Sequence, residues 1–334
     1  IVSGKDGIHA ENSDDEALGF IYIAGGDFDI TAQGDGISAG YYLMIDNGSY
    51  NITTKGTGSD DSAKGLKAAG NLIVNDGTFT ISTTDDGLHS NSDMSINGGS
   101  FTIATGDDGL HADNDLIINS GIIDINDCYE GLEGLTITVN DGTININASD
   151  DGINAAGGTD SSGFGGFGHD AFSADSDANI YINGGTITIN ADGDGIDSNG
   201  NLYVTGGIIY VSGPESSADG ALDYNGEATI TGGTLIAAGA SGMAENFGSD
   251  STQGSILVTF TTQSAGTTIS LLDESGSMLL SWQSDKTYSS VVISSPDIVV
   301  GNTYTIKAGD YETTVTMDST IYGSGMGMGG FPGE

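Results

Sequence analysis

The string DDGLH occurs twice, at residues 85–89 and 107–111, and the 22 residues between the copies constrain this chain more than any other feature. Gly87, Gly109 and Gly131 follow one another at that interval. The same glycine recurs at Gly7, Gly36, Gly65, Gly152, Gly195 and Gly220, nearly always with an acid before it. Nine copies at a near-constant period mark a solenoid, in which each unit covers the apolar face of the next.

Within a copy, an aliphatic residue follows the glycine (Ile8, Ile37, Leu66, Leu88, Leu110, Leu132, Ile153, Ile196) and opens a first short strand. A second strand places apolar residues two apart, as in Leu72 and Val74 or Ile180 and Ile182. It ends at a glycine turn such as Asn97-Gly98-Gly99. The third alternates again, through Phe79-Thr80-Ile81, Phe101-Thr102-Ile103, Ile144-Asn145-Ile146 and Ile187-Thr188-Ile189. Alternation puts one face in and one out. Three strands in 22 residues leave no room for a crossover helix, so the expected class is all-β, a parallel β-helix of about nine rungs. Its right hand is assigned by analogy with large β-helices.

The first two copies are 29 residues long, with the extra length in polar stretches, Glu11 to Gly19 and Lys55 to Ser62. An insertion at 157–176 carries Phe164, Phe167, His169 and Phe172, and reads either as a lid or stacking flap or as a plain solvent loop. The period breaks near Ser255. Strand-like runs at 256–261, 268–272, 279–282, 290–293, 304–308 and 313–317 then alternate with turn signals such as Asp273-Glu274-Ser275-Gly276. These predict a small antiparallel β cap or sandwich, since an open terminal rung is an unpaired sheet edge. The expected divisions are a helix over 1–253, a cap over 254–318 and a flexible Gly/Met-rich tail over 319–334.

The charge balance excludes partners. Asp and Glu number 47 against 6 Lys and no Arg, a formal charge of −41, and such a surface repels nucleic acid and anionic lipid while inviting cations. The single cysteine, Cys128, precludes an intrachain disulfide. No apolar run is long enough to span a membrane. The chain opens in mid-motif at Ile1 without a basic or apolar leader, so any signal peptide is expected outside this numbering.

Equivalent residues of a solenoid stack in columns about 4.8 Å apart. The column before the repeat glycine reads Asp6, Asp35, Lys64, Asp86, Asp108, Glu130, Asp151, Asp194, Asp219, and Asp85, Asp107 and Asp150 double it. Like charges at that spacing repel by roughly 1 kcal/mol per pair in water and more where the dielectric is lower. Calcium, which takes carboxylate and carbonyl oxygens in flexible geometry, is the expected compensator, at Asp85, Asp86, Asp107, Asp108, Glu130, Asp150, Asp151 and Asp194. The competing reading makes these aspartates turn formers that accept local N–H bonds. After the glycine, an outward column runs His9, Ser38, Lys67, His89, His111, Glu133, Asn154, Asp197, Asp223. His89 and His111 should be surface neighbours, as a histidine ladder beside carboxylates or as a zinc or copper pair. Lys64 and Lys67 read as counter-charges or as the base of a uronate lyase. Thr80, Thr102, Asn145 and Thr188 form part of a flat hydroxyl and amide array. Tyr22, Tyr181, Tyr203 and Tyr210 offer exposed rings. Sugars bind such platforms, with His89 and His111 as further candidates, although plain β-surfaces carry the same residues.

The repeated unit, the closing TITGGTLIAAGASGMAENF (229–247) and the later SDKTYSSVVISSPDIVVGNTYTI (284–306) resemble a bacterial family of secreted β-helix proteins described as carbohydrate-binding-domain-containing, best represented in cellulolytic clostridia; the Met-Gly-Phe-Pro tail is also similar. The resemblance covers almost the whole chain. It implies a polysaccharide-lyase-like right-handed β-helix at the cell surface that binds calcium and plant cell-wall polysaccharide, cellulose and acidic sugars such as polygalacturonate, with no established catalysis. The Asp-Asp-Gly positions match the calcium turns it implies.

Three functions follow as expectations. The first is a non-catalytic, calcium-loaded polysaccharide binder, and the second a polysaccharide lyase using Lys64 or Lys67, against which the absence of Arg counts. The third is an adhesin or filament subunit that associates with itself through the open N-terminal rung. The flat threonine rows also raise ice binding, but Asp124, Asn145 and Tyr210 interrupt them.

Overall fold

The computed structural model describes residues 1–12, 17–56, 62–156 and 177–323. Among these the chain is all-β, without a helix, and most strands are parallel and lie in two long sheets. Among the described residues no helix is long and apolar enough to cross a membrane. The insertion expected at 157–176 and the tail from 324 onward lie outside the described residues.

Each strand pairs with its equivalent one copy away. Thr78–Ser82 lies between Ser49–Thr54 and Ser100–Ala104, with Phe79 opposite Tyr50 and Phe101. Third strands therefore follow in sequence order from Val2–Ser3 to Thr234–Gly239. First and second strands make up the other long sheet. Three separate strands were expected per copy, yet Leu110–Ile118 and Leu132–Val139 each run through the first and second positions without a break. A register shift between Ala112 and Asp115 takes up the corner.

The repeat glycine is required by close approach. Gly87 N–H donates to the Asp108 carbonyl at 2.8 Å and Leu88 N–H to the Gly109 carbonyl at 3.1 Å. A Cβ on Gly87 would lie 2.6 Å from that Gly109 oxygen, and one on Gly109 the same distance from Gly131 O. Any side chain here would push successive copies apart. The ninth copy departs from the sequence reading: Asp197 pairs with Asp223 and Gly195 N–H donates to Gly220 O, so Ala221, not Gly220, takes the glycine position. Asp219 is thereby one residue out of the acid column.

Inside, identical positions stack on one another. Phe28, Tyr50, Phe79 and Phe101 form one aromatic column, with ring centroids 5.0, 4.6 and 4.6 Å apart and near-parallel planes. Ile123, Ile144, Ile187 and Ile209 continue it, buried. At the turn between second and third strands an amide ladder runs the same way. Asn75 donates to Asp46, and Asn97, Asn119, Asn140 and Asn183 each donate to the preceding asparagine at 2.8–3.0 Å. Every amide thus donates and accepts, which orients the row as a polarised chain.

Beyond the period, Tyr288–Ser294 pairs antiparallel with Thr234–Gly239 on one side and with Ser255–Gln263 on the other. Met278–Gln283, Thr268–Leu272, Thr303–Ala308 and Tyr311–Thr316 form a separate antiparallel sheet. Ile236 and Ala238, outward-pointing in the last parallel strand, are buried with Ile269, Leu271, Tyr304 and Ile306 in a second core. Apolar residues on an outward face mark where this segment docks.

The aromatic column generates the first prediction. Phe101→Ala removes a fully buried ring and should cost about 3–5 kcal/mol. Thr102→Ala, its outward neighbour, should stay within about 0.5 kcal/mol. Urea unfolding of both variants measures the difference, and equal midpoints would refute the inward and outward assignment.

Candidate functional site

Third strands run into the acid column, and the geometry there explains why aspartate recurs. Oδ1 of each acid accepts the backbone N–H of its equivalent in the next copy: Asp6 from Asp35 at 2.9 Å, Asp35 from Lys64 at 3.0 Å, Asp86 from Asp108 at 3.2 Å, Asp151 from Asp194 at 2.6 Å. The turn-forming role weighed from sequence is present, but its N–H donor sits one copy away. The second oxygen of each carboxylate remains for the neighbouring column.

In the N-terminal half that oxygen meets a cation. Lys64 Nζ lies 2.7 Å from Asp85 Oδ1 and 2.6 Å from Asp86 Oδ2, and His89 Nδ1 lies 2.7 Å from the same Asp86 oxygen. His111 Nδ1 faces Glu133 and, at 3.3 Å, Asp108, while its Nε2 lies 3.2 Å from Asp113. The imidazoles stack with centroids 4.7 Å apart. His89 and His111 were expected on the surface as sugar ligands, and this is corrected: they are 2% and 0% exposed. The outward side of so short a strand faces the acid column across a tight bend, so the two columns bury each other.

Burial alone would pull the His111 pKa down, but hydrogen bonds to Asp108, Asp113 and Glu133 outweigh it and hold the ring well above its ordinary value, as an imidazolium. Asp86 is raised by burial yet ends well below the carboxylate range through the His89 hydrogen bond and the Lys64 charge. Lys64, destabilised by burial, is held far above the usual lysine value by Asp86 and Asp85. A lysine that must abstract a proton needs the opposite shift, so Lys64 is not placed as a base. Lys67 donates to Ser62 and lies 3.7 Å from Asp35.

Farther along the column no lysine or histidine pairs with Asp151 or Asp194 among the described residues. Oxygens of Asp151, Asp194 and Asp197 lie within 4.8 Å of one another. Burial, then the charges of Asp194, Asp197 and Asp150, push Asp151 well above the carboxylate range. Burial and Asp197 push Asp194 up to about 8. Glu130 is raised too, by burial and by Glu133, Asp108 and Asp151. Asn154 sits in register between Glu133 and Asp197 and is 1% exposed. Its Nδ2 donates to Glu130 Oε2 at 2.9 Å, toward the preceding copy, while its Oδ1 has no hydrogen-bond partner. A buried amide oxygen without a hydrogen-bond partner and the raised carboxylates of Asp151 and Asp194 are hard oxygen donors of the kind that could hold calcium. Of the eight expected metal residues, Asp85, Asp86, Asp107 and Asp108 therefore lie in the half that supplies its own cations, and Asp151 and Asp194 in the half that does not. Asp197 and Asn154 were missed, because only their place in the outward column pointed to them.

The tyrosines are dispersed. Tyr22 is exposed and donates to Asp46 Oδ2 at 2.5 Å. Tyr181 and Tyr203 stack on each other at 5.1 Å, so one face of each ring is taken by the other. Tyr210 stacks at 5.4 Å on Trp282 of the C-terminal segment. Thr80, Thr102, Asp124, Asn145 and Thr188 do align in register on one outward face.

The chain matches the family model described as carbohydrate-binding domain-containing protein, over residues 1–109 and again over 107–326. Neither a curated protein nor a solved structure matches it.

The raised carboxylates set a pH dependence. A carboxyl whose folded pKa exceeds its unfolded value of about 3.9 contributes stability below that value and loses it as pH rises toward the folded pKa. With Asp194 at about 8 and Asp151 also raised, stability without divalent metal should fall between pH 4 and 8. Asp86, Asp113 and Glu133 are shifted down, and their contribution is lost only below about pH 4. The melting temperature in EDTA should therefore peak near pH 5 and decline toward pH 8, and Asp194→Asn should flatten that decline. A steady rise from pH 5 to 8 would contradict the assignment.

Proposed function

The chain belongs to the carbohydrate-binding domain-containing protein family, and from that premise we propose that it is a non-catalytic, calcium-dependent binder of plant cell-wall polysaccharide on a bacterial cell surface. Its scaffold, in this reading, is a right-handed parallel β-helix of nine rungs over residues 1–253, closed by an antiparallel cap over 254–318. The observation that carries the calcium assignment is the group of Asp151, Asp194 and Asp197, whose oxygens lie within 4.8 Å of one another, with Asn154, whose Oδ1 has no hydrogen-bond partner, in register beside Asp197. The donor set fits: carboxylates and an amide carbonyl are hard oxygen ligands, and calcium accepts six to eight of them in irregular geometry. Zinc or copper would call for imidazole or thiolate, and the buried histidines are engaged with carboxylates elsewhere. Asp150, half-buried next to Asp151 and shifted up by burial, offers a further oxygen on the solvent side.

Calcium there would neutralise the half of the column that lacks lysine and histidine. It would also present positive charge on a chain of −41, which otherwise repels a uronate polymer. Asp151 and Asp194 would hold the ion from the backbone-anchored column, Asp197 and Asn154 from the neighbouring one. Positions left open on the solvent side would admit a sugar carboxylate. Of the two lysines the lyase reading could use as base, Lys64 is locked between Asp85 and Asp86, which leaves Lys67.

Calcium that binds only the folded state adds roughly 2.7 kcal/mol per site at 100 times its dissociation constant. Calcium should raise the melting temperature of the EDTA-treated protein, and Asp194→Asn with Asp197→Asn should abolish most of that rise. Isothermal titration with polygalacturonate should show binding in calcium that EDTA removes. Equal binding in both would sink the bridging role, and an unchanged calcium response in the double variant would sink the site.

A further inference from the structure

One group of side chains in the buried lattice has no task in the calcium reading. In the first eight copies Lys64 is the one residue of the acid column that is not an acid, and it is 5% exposed. Its Nζ lies 2.6 Å from Asp86 Oδ2 and 2.7 Å from Asp85 Oδ1. Asp86 is fully buried, and its two oxygens are held differently. Oδ1 accepts the Asp108 backbone N–H at 3.2 Å, whereas Oδ2 meets both Lys64 and, at 2.7 Å, His89 Nδ1. Asp85 is fixed in turn by the N–H groups of Asp86 and Ala63, at 3.0 and 3.1 Å.

These are the parts of an acyl transfer. An amine lies against a carboxyl group, and a second carboxylate stands at the amine to take its proton. A backbone N–H faces the oxygen on which charge would develop, and an imidazole nitrogen faces the oxygen that would leave. We propose that Lys64 and Asp86 condense into an amide, an isopeptide cross-link between the third and fourth copies. The Nζ–Cγ bond forms and the Cγ–Oδ2 bond breaks. Of the three ammonium protons, one stays on the amide nitrogen, one crosses the Lys64–Asp86 contact to Oδ2, and one passes to Asp85. His89 gives Oδ2 its second proton, and water departs. Asp85 ends with one proton more and His89 with one fewer, and a later proton exchange restores both.

Lys64 and Asp86 rest as ammonium and carboxylate, and in water that ionisation opposes condensation. Burial is the largest single effect on each and acts against its charge. Moving one proton along the 2.6 Å contact therefore yields the amine and the acid in a site with little solvation to lose. Held geometry supplies the rest, since effective molarities of well-oriented intramolecular reactions reach about 10⁵–10⁸ M. The two carboxylates that bar Lys64 from serving an outside substrate set it against an electrophile of its own chain. The product ties two consecutive copies at the acid column and constrains the unfolded chain as a disulfide does.

The intact mass of the full chain, folded at neutral pH and then denatured, reads the reaction directly. Wild type should be one water lighter than its sequence, and proteolysis should release a branched peptide joining the segment that holds Lys64 to the one that holds Asp86. Lys64→Arg keeps the positive charge without an amine and should show the full mass. Asp85→Asn removes the base and should slow the appearance of the lighter form roughly tenfold or more; an unchanged rate there removes Asp85 from the reaction. A succinimide at Asp86-Gly87 also loses one water, but it leaves a linear peptide and survives in Lys64→Arg. Full mass in the folded wild type, or a water loss that persists in Lys64→Arg, overturns the cross-link. Each of these results is independent of calcium and polysaccharide binding.

Discussion

The contact of one copy with the next at a single strand spacing governs this structure. At Gly87 the backbone of the following copy comes so close that a methyl group would strike Gly109. From that distance everything else follows, because each side chain is set beside its own equivalent. Apolar residues profit: phenylalanine stacks on phenylalanine and isoleucine on isoleucine with little void. Asparagine profits as well, since a primary amide both donates and accepts and so pairs with a copy of itself. Aspartate gains one bond by accepting the next copy's backbone N–H and loses by facing another carboxylate.

That conflict is settled differently along the length of the column. Lys64, His89 and His111 interrupt the acids of copies three to five, and the result is a buried lattice in which Lys64 touches Asp85 and Asp86, His89 touches Asp86, and His111 touches Asp108, Asp113 and Glu133. Such a lattice lowers Asp86 and Glu133 while raising Lys64 and His111, whereas Asp108 is pushed up by burial and by the charges of Glu133 and Asp86. From Glu130 to Asp194 the described chain offers only an asparagine. The carboxylates there either retain protons or take up a cation from solution, and at neutral pH the two outcomes compete for the same oxygens.

Period, strand alternation and the aligned polar face were all legible in the sequence, because each is a one-dimensional pattern that stacking converts directly into a column. The antiparallel pairings after Ser255 follow the turn signals between runs 268–272, 279–282 and 304–308. Depth was not legible. His89 alternates with Leu88 and Ser90 as an outward residue should, and only the bend that folds Asp86 over it removes it from solvent. The offset at Ala221 escaped because Asp219-Gly220 imitates the motif one residue early. Asn154 looked like one polar residue among many, and its meaning lies in which way its amide faces, a property set by Glu130 in another copy.

The acid column and the glycine turns are separated by the length of one short strand. The third strands end in the acid column and begin at the glycine turns, so every copy carries both corners and neither can slide relative to the other. Loss of a cation from Asp151 and Asp194 would be felt first in the backbone N–H bonds those carboxylates accept, since a proton that settles on Oδ1 weakens the acceptor. The glycine turns depend on different bonds, the asparagine row, the carbonyls of Gly121 and Gly142, and Asp141, which accepts the Gly142 N–H.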